Sequence, residues 1–440
     1  MSRPPSVAST AGRSKVLAWA LWDCGSTGMN AIVATFVFSV YLTSTVGQGL
    51  PGGTSPASWL GRALAIAGLT VAVVAPLIGV LVQAPHRRRA ALIILSALAA
   101  VSTTAMSLIR AEPAYFAMGL VLLAFTAACG DLASVPYNAM LRQLTTPQNS
   151  GRISGIGAAA GYFGSVVLLM VIFTMFIVGS GADRGLLGIP VEDGQNVRAA
   201  MLMAAAWFVV LALPLLITAH ALAPAPEPEP LAAVGLLGGY RRLWNDLRGE
   251  WRRDRNLVYY LIVSAIFRDG IAGVFAFGAV LGVSVYGISP ANVLIFGVIA
   301  STMAALGAVL GGHIDDRIGG KPVIVASLTA MIAVGVTLLS LSGPVVFWVC
   351  GLLLAFCVGP VTTSARTVLL RMASHGKEGV AFGLYTMTGR AASFLAPWLF
   401  FVFVDAFHAD RAGLGGLCVV LAVGLLGMLG VKVPNHARTG

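Results

Sequence analysis

The sequence predicts an all-α membrane protein with twelve transmembrane helices. Of its 440 residues, 58% are hydrophobic and only 10% are charged, whereas a soluble domain carries roughly 25% charged residues. Long apolar runs also recur along the whole chain, and a run of about 18 apolar residues or more is typical of a helix that spans a bilayer. These observations exclude a soluble enzyme, a disordered chain and a nucleic-acid-binding protein.

Twelve apolar segments are bounded by turn residues or charges. The first six lie near 17–43, 58–83, 90–109, 114–141, 153–180 and 199–220, and the second six near 257–286, 291–312, 322–341, 345–370, 379–404 and 412–431. The first segment follows Arg3, Arg13 and Lys15, as the apolar core of a signal peptide would. It is too long for such a core and no small-residue cleavage site follows, so we expect it to be retained as span 1.

The 28 Lys and Arg residues lie mostly in alternate loops. Twenty fall in segments that share one side of the membrane with both termini, five on the opposite side and three within spans. This asymmetry predicts that both termini are cytoplasmic, and it accounts for the net charge of +11 without a nucleic-acid partner. The absence of any Asn-x-Ser/Thr acceptor favours a bacterial inner membrane.

The chain carries no signature of a cofactor or metal site. Its five cysteines are odd in number and lie inside apolar runs, which is not the pattern of a disulfide framework. No G-x-x-x-x-G-K-[ST] sequence occurs, so we expect no ATP site in the chain. The histidines lack the spacing of a metal site.

The domain organisation follows from a polar interruption after the sixth segment. Residues 1–220 are predicted to form one six-helix bundle and residues 257–440 a second. Residues 221–256 are predicted to form a cytoplasmic linker, with a stiff Pro-rich stretch at 222–230. Apolar and basic residues alternate at helical spacing in 239–255, which predicts an amphipathic helix on the membrane lipid; a plain solvated tether is the alternative.

The two halves resemble each other in sequence. YNAMLRQL (137–144) and GRISGIGAAAG (151–161) match RTVLLRMA (366–373) and EGVAFGLYTMTG (378–389), with Arg142 opposite Arg371. The span-5 glycines in this region are expected to be close-packing positions. Two repeated six-span halves with a cytoplasmic linker resemble the major facilitator superfamily.

The loop GHIDDRIGGK (312–321) fits the G-x-L-x-D-R-x-G-x-K loop of that superfamily. We expect Asp316 to pair with Arg317 or Lys321 across the glycine turn, so that a gating latch joins two helix ends. In the equivalent loop of the first half, Gln83 replaces the aspartate, which predicts a weaker latch there.

A closer resemblance is to the vacuole-effluxer-like family. WALWDCGSTGMN (19–30) resembles the W-x-L-Y-D-x-A-N-S signature of that family. Residues 137–165, 267–289 and 376–397 are similar to its other recurring segments. The resemblance implies export of amino acids, as in the fungal members of the family.

Six ionisable residues lie well inside the predicted spans, where an unpaired charge costs ~2.5–3.5 kcal/mol or more. They are Asp23, Asp131, Arg268, Asp269, Arg366 and Arg390. Polar neighbours extend two of them into stripes along one helix face, Asp23–Thr27–Asn30 and Asp131–Ser134–Asn138. The resemblance implies that spans 1, 4, 7 and 10 line a central cavity, so these residues are candidates for substrate binding and coupling; structural ion pairing is the alternative.

Residue counting places Arg390 and Asp269 at similar depth, which predicts an ion pair between them. Asp23 and Asp131 have no basic residue on their own stripes. Because desolvation penalises a charged carboxylate, either could bind and release a proton. The alternative is that either acid pairs with Arg366 from the other half, which would make it a gate rather than a proton site.

These features predict a secondary active transporter rather than an enzyme. The expected cargo is a small polar or zwitterionic solute, exported by alternating access as a monomer and driven by protons or another coupling ion. One alternative is an exporter of drugs or lipophilic compounds with the same fold. The other is a membrane scaffold or sensor that does not transport.

Overall fold

A computed structural model describes residues 12–48, 50, 55–179, 183–218 and 255–433. Within these residues twelve helical segments are long and apolar enough to cross a membrane, which confirms the predicted fold class. Spans 1 to 6 are Arg13–Val46, Pro56–Leu81, His86–Leu108, Pro113–Leu144, Ser150–Ile177 and Glu192–Thr218. Spans 7 to 12 are Arg255–Gly278, Ile295–Ile318, Gly320–Ser340, Pro344–Met372, Glu378–Phe407 and Asp410–Gly430.

The predicted linker falls almost entirely outside these residues. The Pro-rich stretch 222–230 and all of the predicted amphipathic helix except Arg255 are not described. The linker therefore stays a prediction from sequence.

Several spans depart from a regular α-helix. Span 1 is α-helical over Arg13–Asn30, turns π-helical over Ala31–Phe36, and has a second π turn at Leu42–Val46. Span 5 also ends in a π turn, Phe173–Ile177. Beyond it, strands Asp183–Arg184 and Ile189–Pro190 pair antiparallel in the connection to span 6. Such π turns occur frequently at functional sites.

Span 11 is broken into two helices, Glu378–Ala392 and Leu395–Phe407. Pro397 contributes to the break, because proline has no backbone N–H and its ring clashes with the carbonyl four residues earlier. The Asp269 carboxylate of span 7 accepts a hydrogen bond of 2.6 Å from the backbone N–H of Ala396. Asp269 thus satisfies a donor at the start of the second helix that has no partner within its own helix.

Small residues allow the helices of each half to approach closely, as in other membrane bundles. Span 1 packs against spans 5 and 6, and span 7 against spans 11 and 12. A Cβ added to Gly157 would overlap the ring of Trp19, and one added to Gly161 would lie 2.9 Å from Oγ1 of Thr27. The expected packing role of the span-5 glycines is confirmed.

The halves meet closely on the side where span 6 ends and span 7 begins, which we call the linker side. Spans 2 and 11 pack together there, as do spans 5 and 8. A Cβ on Gly79 would lie 2.5 Å from the carbonyl oxygen of Gly379, and one on Gly151 would lie 2.5 Å from that of Gly312. Gly151 and Gly379 are equivalent positions in the sequence repeat, so both contacts use the same glycine position of each half.

On the opposite side, which we call the far side, the halves diverge. A cavity of about 300 Å³ lies between spans 1 and 5 of the first half and spans 7, 8 and 10 of the second, with Phe36, Ser165, Phe275 and Phe296 in its wall. A groove of about 660 Å³ runs between spans 2 and 4, from Trp59 to Ala128. The structure is therefore closed on the linker side, and the opening between the halves, the 300 Å³ cavity, lies toward the far side.

This arrangement predicts that Gly79→Ala weakens linker-side closure. Overpacking a close contact costs about 1–3 kcal/mol, so the ratio of closed to open molecules should fall at least about fivefold. Distances between spin labels on the linker side of each half measure that ratio. Gly61→Ala is the matched control on the same span, because a Cβ at Gly61 meets no atom within 4 Å among the described residues. Equal distance distributions for the two variants would contradict the prediction.

Candidate functional site

Three ion pairs cross from one half to the other within the described residues. Asp23 of span 1 lies 3.5 Å from Arg366 of span 10. Asp131 of span 4 pairs with Arg390 of span 11. Arg142, at the linker-side end of span 4, lies 2.7 Å from Glu378, which begins span 11. The pairs lie at different depths, from the linker side to the middle of the bundle.

The Asp23 carboxylate is held in a buried polar cluster. Thr27, one helical turn further along span 1, donates a hydrogen bond of 3.1 Å to Asp23 Oδ1, while Arg366 faces Oδ2. Trp19 and Trp22 stack on the ring of Tyr137, with centroids 4.5 and 4.4 Å away. This pairing confirms the sequence alternative in which Arg366 meets an acid of the first half.

The Asp131–Arg390 pair is the more accessible of the two mid-membrane pairs. The side chains of Asp131 and Arg390 are 23% and 39% exposed, against 12% and 18% for Asp23 and Arg366. The pair lies about one turn of span 4 below Ala128, the last residue of the far-side groove.

The predicted pair between Arg390 and Asp269 is wrong. Arg390 binds Asp131 of the first half, and the Asp269 carboxylate is engaged by the Ala396 N–H instead. Counting residues along two spans gives their depth in the membrane but not the direction in which each side chain points.

Arg268 is held apart from its neighbour Asp269. Its guanidinium lies 3.6 Å from the ring centroid of Tyr385 and donates to the Tyr385 carbonyl at 2.9 Å. It is also close enough to Asp131 for their charges to interact. Arg268 thus brings a second positive charge to the Asp131–Arg390 pair.

The linker-side end of the interface carries a clasp that follows the sequence repeat. Arg142 reaches Glu378 and donates to the Ala373 carbonyl at 2.7 Å. Its repeat equivalent, Arg371, donates to Ser150 Oγ at 3.0 Å. Glu378 and Ser150 are the first residues of spans 11 and 5, so each arginine binds the start of a helix in the opposite half.

The latch predicted within the 312–321 loop differs from the one in the structure. Asp316 accepts hydrogen bonds from the backbone N–H groups of Gly151 (2.6 Å) and Arg152 (3.0 Å), at the N-terminus of span 5. Lys321 instead donates to the carbonyls of Leu429 and Val431, and Arg317 is exposed. The helix end that Asp316 binds lies in the other half, about 165 residues earlier, which loop spacing alone could not reveal.

Within the described ranges, the remaining predicted site residues make no hydrogen bond across the interface between the halves. Asn138 Nδ2 donates to the Ser134 carbonyl of its own helix at 2.8 Å, and Asn30 is exposed beside the π turn of span 1. Sequence reasoning missed Tyr137 and Glu378 as site residues, although both lie in the repeated segments. Among the described residues, no group of three His, Cys, Asp or Glu side chains could hold a metal ion.

The fold matches solved transporters over nearly the whole chain. The proton:xylose symporter XylE superposes with a TM-score of 0.71 at 14% identity, covering 96% of each chain. The E. coli fucose:proton symporter FucP superposes with a TM-score of 0.66 at 13% identity, covering 96% of this chain and 98% of FucP. A bacterial homologue of the iron transporter ferroportin, in an outward-facing state, gives 0.64 at 13% identity, covering 94% and 97%. The protein therefore has the major facilitator fold.

Within this class, the model of the family described as "Vacuole effluxer Atg22 like" matches residues 50–440, and the chain belongs to that family. The uncharacterized MFS-type transporter YxiO of Bacillus subtilis is 20% identical over 421 residues, or 96% of this chain and 95% of YxiO. Autophagy-related protein 22 of Yarrowia lipolytica is 26% identical over 311 residues, or 64% of this chain and 51% of that protein. The protein is thus an integral, multi-pass membrane transporter of the Atg22 type, as the sequence predicts.

The Asp131–Arg390 pair can be tested by charge removal. Asp131→Asn and Arg390→Gln should each destabilise the protein, because each strands the other charge; breaking a fully buried pair costs ~3–5 kcal/mol, and this half-exposed pair should cost less. The double variant should regain stability in thermal unfolding in detergent. Asp269→Asn combined with Arg390→Gln is the control and should show additive losses. Rescue by that control instead would contradict the observed pairing.

Proposed function

We propose that the protein is a secondary active transporter that exports a small polar or zwitterionic solute by alternating access, in exchange for protons. The observation that carries the proposal is the set of ion pairs that join the halves at the middle of the bundle. Charges inside a bilayer are expensive unless they are paired. Pairs that must be broken when the halves move give a transporter a place to couple that movement to ligand binding.

The closed linker side and open far side correspond to one end state of an alternating-access cycle. In the other end state the halves part on the linker side and close on the far side. This movement breaks the Arg142–Glu378 clasp and the Asp316 contacts with span 5. It also separates Asp23 from Arg366, since these belong to different halves.

Asp23 is the proposed coupling residue. A proton that reaches Asp23 from the far side removes its negative charge and so weakens its attraction to Arg366. The halves can then part on the linker side, where the proton leaves. Binding of cargo in the linker-side-open state favours the return to the far-side-open state. One proton therefore moves in the opposite direction to each cargo molecule.

The charges favour a polar or zwitterionic cargo. A zwitterion carries one positive and one negative group and can replace both partners of the Asp131–Arg390 pair. Amino acids are zwitterions of this kind, and export of a small solute agrees with the family description. A lipophilic cargo is the second candidate, because Phe36, Phe275 and Phe296 give the 300 Å³ cavity a largely apolar wall.

We further propose that the linker side faces the cytoplasm of a bacterial cell, with both termini there. The support is the excess of Lys and Arg on that side of the chain. Gln48, on the far side, and His86, on the linker side, are both exposed. With Gln48→Cys and His86→Cys in intact cells, a membrane-impermeant thiol reagent should label only position 48. Labelling at position 86 alone would reverse the orientation.

The function is tested by counterflow and uptake in proteoliposomes, over a panel of amino acids, other polar solutes and lipophilic dyes. A proton gradient should drive accumulation of a polar member of the panel. Accumulation of dyes alone would favour the second candidate, and no transport of any member would contradict the proposal.

The coupling role predicts that Asp23→Asn abolishes gradient-driven accumulation, while expression and solute binding are largely retained. An amide cannot take up the proton, so only downhill exchange should remain. Asp405→Asn is the control, because this exposed carboxylate lies near the far-side end of span 11. Full accumulation by Asp23→Asn would rule out Asp23 as the coupling residue.

A further inference from the structure

Tyr137 lies at the centre of the buried cluster around Asp23. Its ring is stacked between Trp19 and Trp22, at interplanar angles of 2° and 25°, and only 1% of the residue is exposed. The Trp19 indole also donates to the Tyr137 carbonyl at 3.1 Å. The position of the phenol ring is therefore fixed by its own half of the protein.

The Tyr137 hydroxyl lies beside the Asp23 carboxylate but is only weakly engaged in the present conformation. It is close enough to the Asp23 carboxylate and the Arg366 guanidinium for their charges to act on it. It nevertheless makes no hydrogen bond of normal geometry with any residue that the structure describes, so its interaction with Asp23 is at most a long, weak one. A buried hydroxyl without a partner costs about 1–3 kcal/mol, so its retention beside a carboxylate calls for an explanation.

The sequence repeat explains why a hydroxyl is retained beside Asp23. Alignment of Arg142 with Arg371 places Tyr137 opposite Arg366, so the two residues that approach Asp23 occupy equivalent positions on spans 4 and 10. Tyr137 belongs to the same half as Asp23, and Arg366 belongs to the other half. When the halves part, Arg366 moves away from Asp23 but Tyr137 remains.

We propose that Tyr137 is a positioning residue that donates a hydrogen bond to Asp23 once Arg366 has been withdrawn. With Thr27, which already donates to Asp23, it would give the carboxylate two donors within its own half. The carboxylate could then stay ionised in the linker-side-open state instead of being left as an unpartnered buried charge. This inference rests on the alternating-access function proposed above.

Tyr137→Phe tests the proposal, since phenylalanine keeps the ring between the two tryptophans and removes only the hydroxyl. Spin labels at His86→Cys and His313→Cys, one exposed linker-side position in each half, report the populations of the closed and open states. We expect Tyr137→Phe to lower the open population about tenfold, as loss of a hydrogen bond to a charged group would.

The decisive measurement is the same substitution in the Asp23→Asn background. A neutral amide does not require the tyrosine donor, so there Tyr137→Phe should change the open population less than twofold. An equal change in both backgrounds would mean a general structural role for the hydroxyl and would overturn the proposal. No change in either background would overturn it as well.

Tyr41→Phe is the matched control. Tyr41 is a buried tyrosine of the same span as Asp23, and its hydroxyl donates to the Ile109 carbonyl at 3.2 Å near the far side. Tyr41→Phe should change the open population by the same factor in the wild-type and the Asp23→Asn backgrounds. A wild-type protein that shows only one label distance, with or without cargo and proton gradient, would instead contradict alternating access itself.

Discussion

A charge inside a bilayer needs a partner, and in this protein the partners of two aspartates within the membrane spans belong to the opposite half. Asp23 and Asp131 both lie in the first half, while Arg366 and Arg390 both lie in the second. Each half alone would therefore carry uncompensated charge of one sign at these positions. The pairs form where the halves meet, so they favour the conformation in which the linker side is closed.

The repeat gives the two halves the same positions but not the same chemistry. Arg142 and Arg371 are equivalent and each pairs with a carboxylate, but Arg142 binds Glu378 of the opposite half, whereas Arg371 pairs with Asp315 of its own half and reaches the opposite half only through the Ser150 hydroxyl. Conversely, Asp316 caps span 5 from the second half, while Gln83 holds the equivalent place in the first. The start of span 11 is held differently, through its own Glu378, which pairs with Arg142 of the first half. Both helix starts are held, each by a charge contributed from a different element.

Hydropathy was sufficient to predict twelve spans, since the bilayer imposes a length and an apolar composition on every crossing. It also identified the buried charges, because such residues are rare in apolar runs. The partners could not be predicted in the same way. Arg390 lies 11 residues from the predicted start of span 11, a depth that matches that of Asp269. Only the break before Leu395 shows why the Asp269 carboxylate binds a backbone N–H and not Arg390. Tyr137 was overlooked because an aromatic residue in a membrane helix carries no signal that separates packing from function.

The break in span 11 divides the helix according to its contacts. The first helix, Glu378–Ala392, packs on spans 2 and 4 of the first half as well as on span 7 of its own half, and carries both Glu378 and Arg390, while the second, Leu395–Phe407, packs on spans 7 and 12 of its own half. Asp269 attaches the start of the second helix to span 7. The contact between span 11 and the first half therefore ends where the helix is interrupted. The two helices of span 11 need not move as one rigid rod. A continuous helix would transmit any shift of Arg390 along its whole length, whereas a capped break confines that shift to the part of span 11 that contacts Asp131.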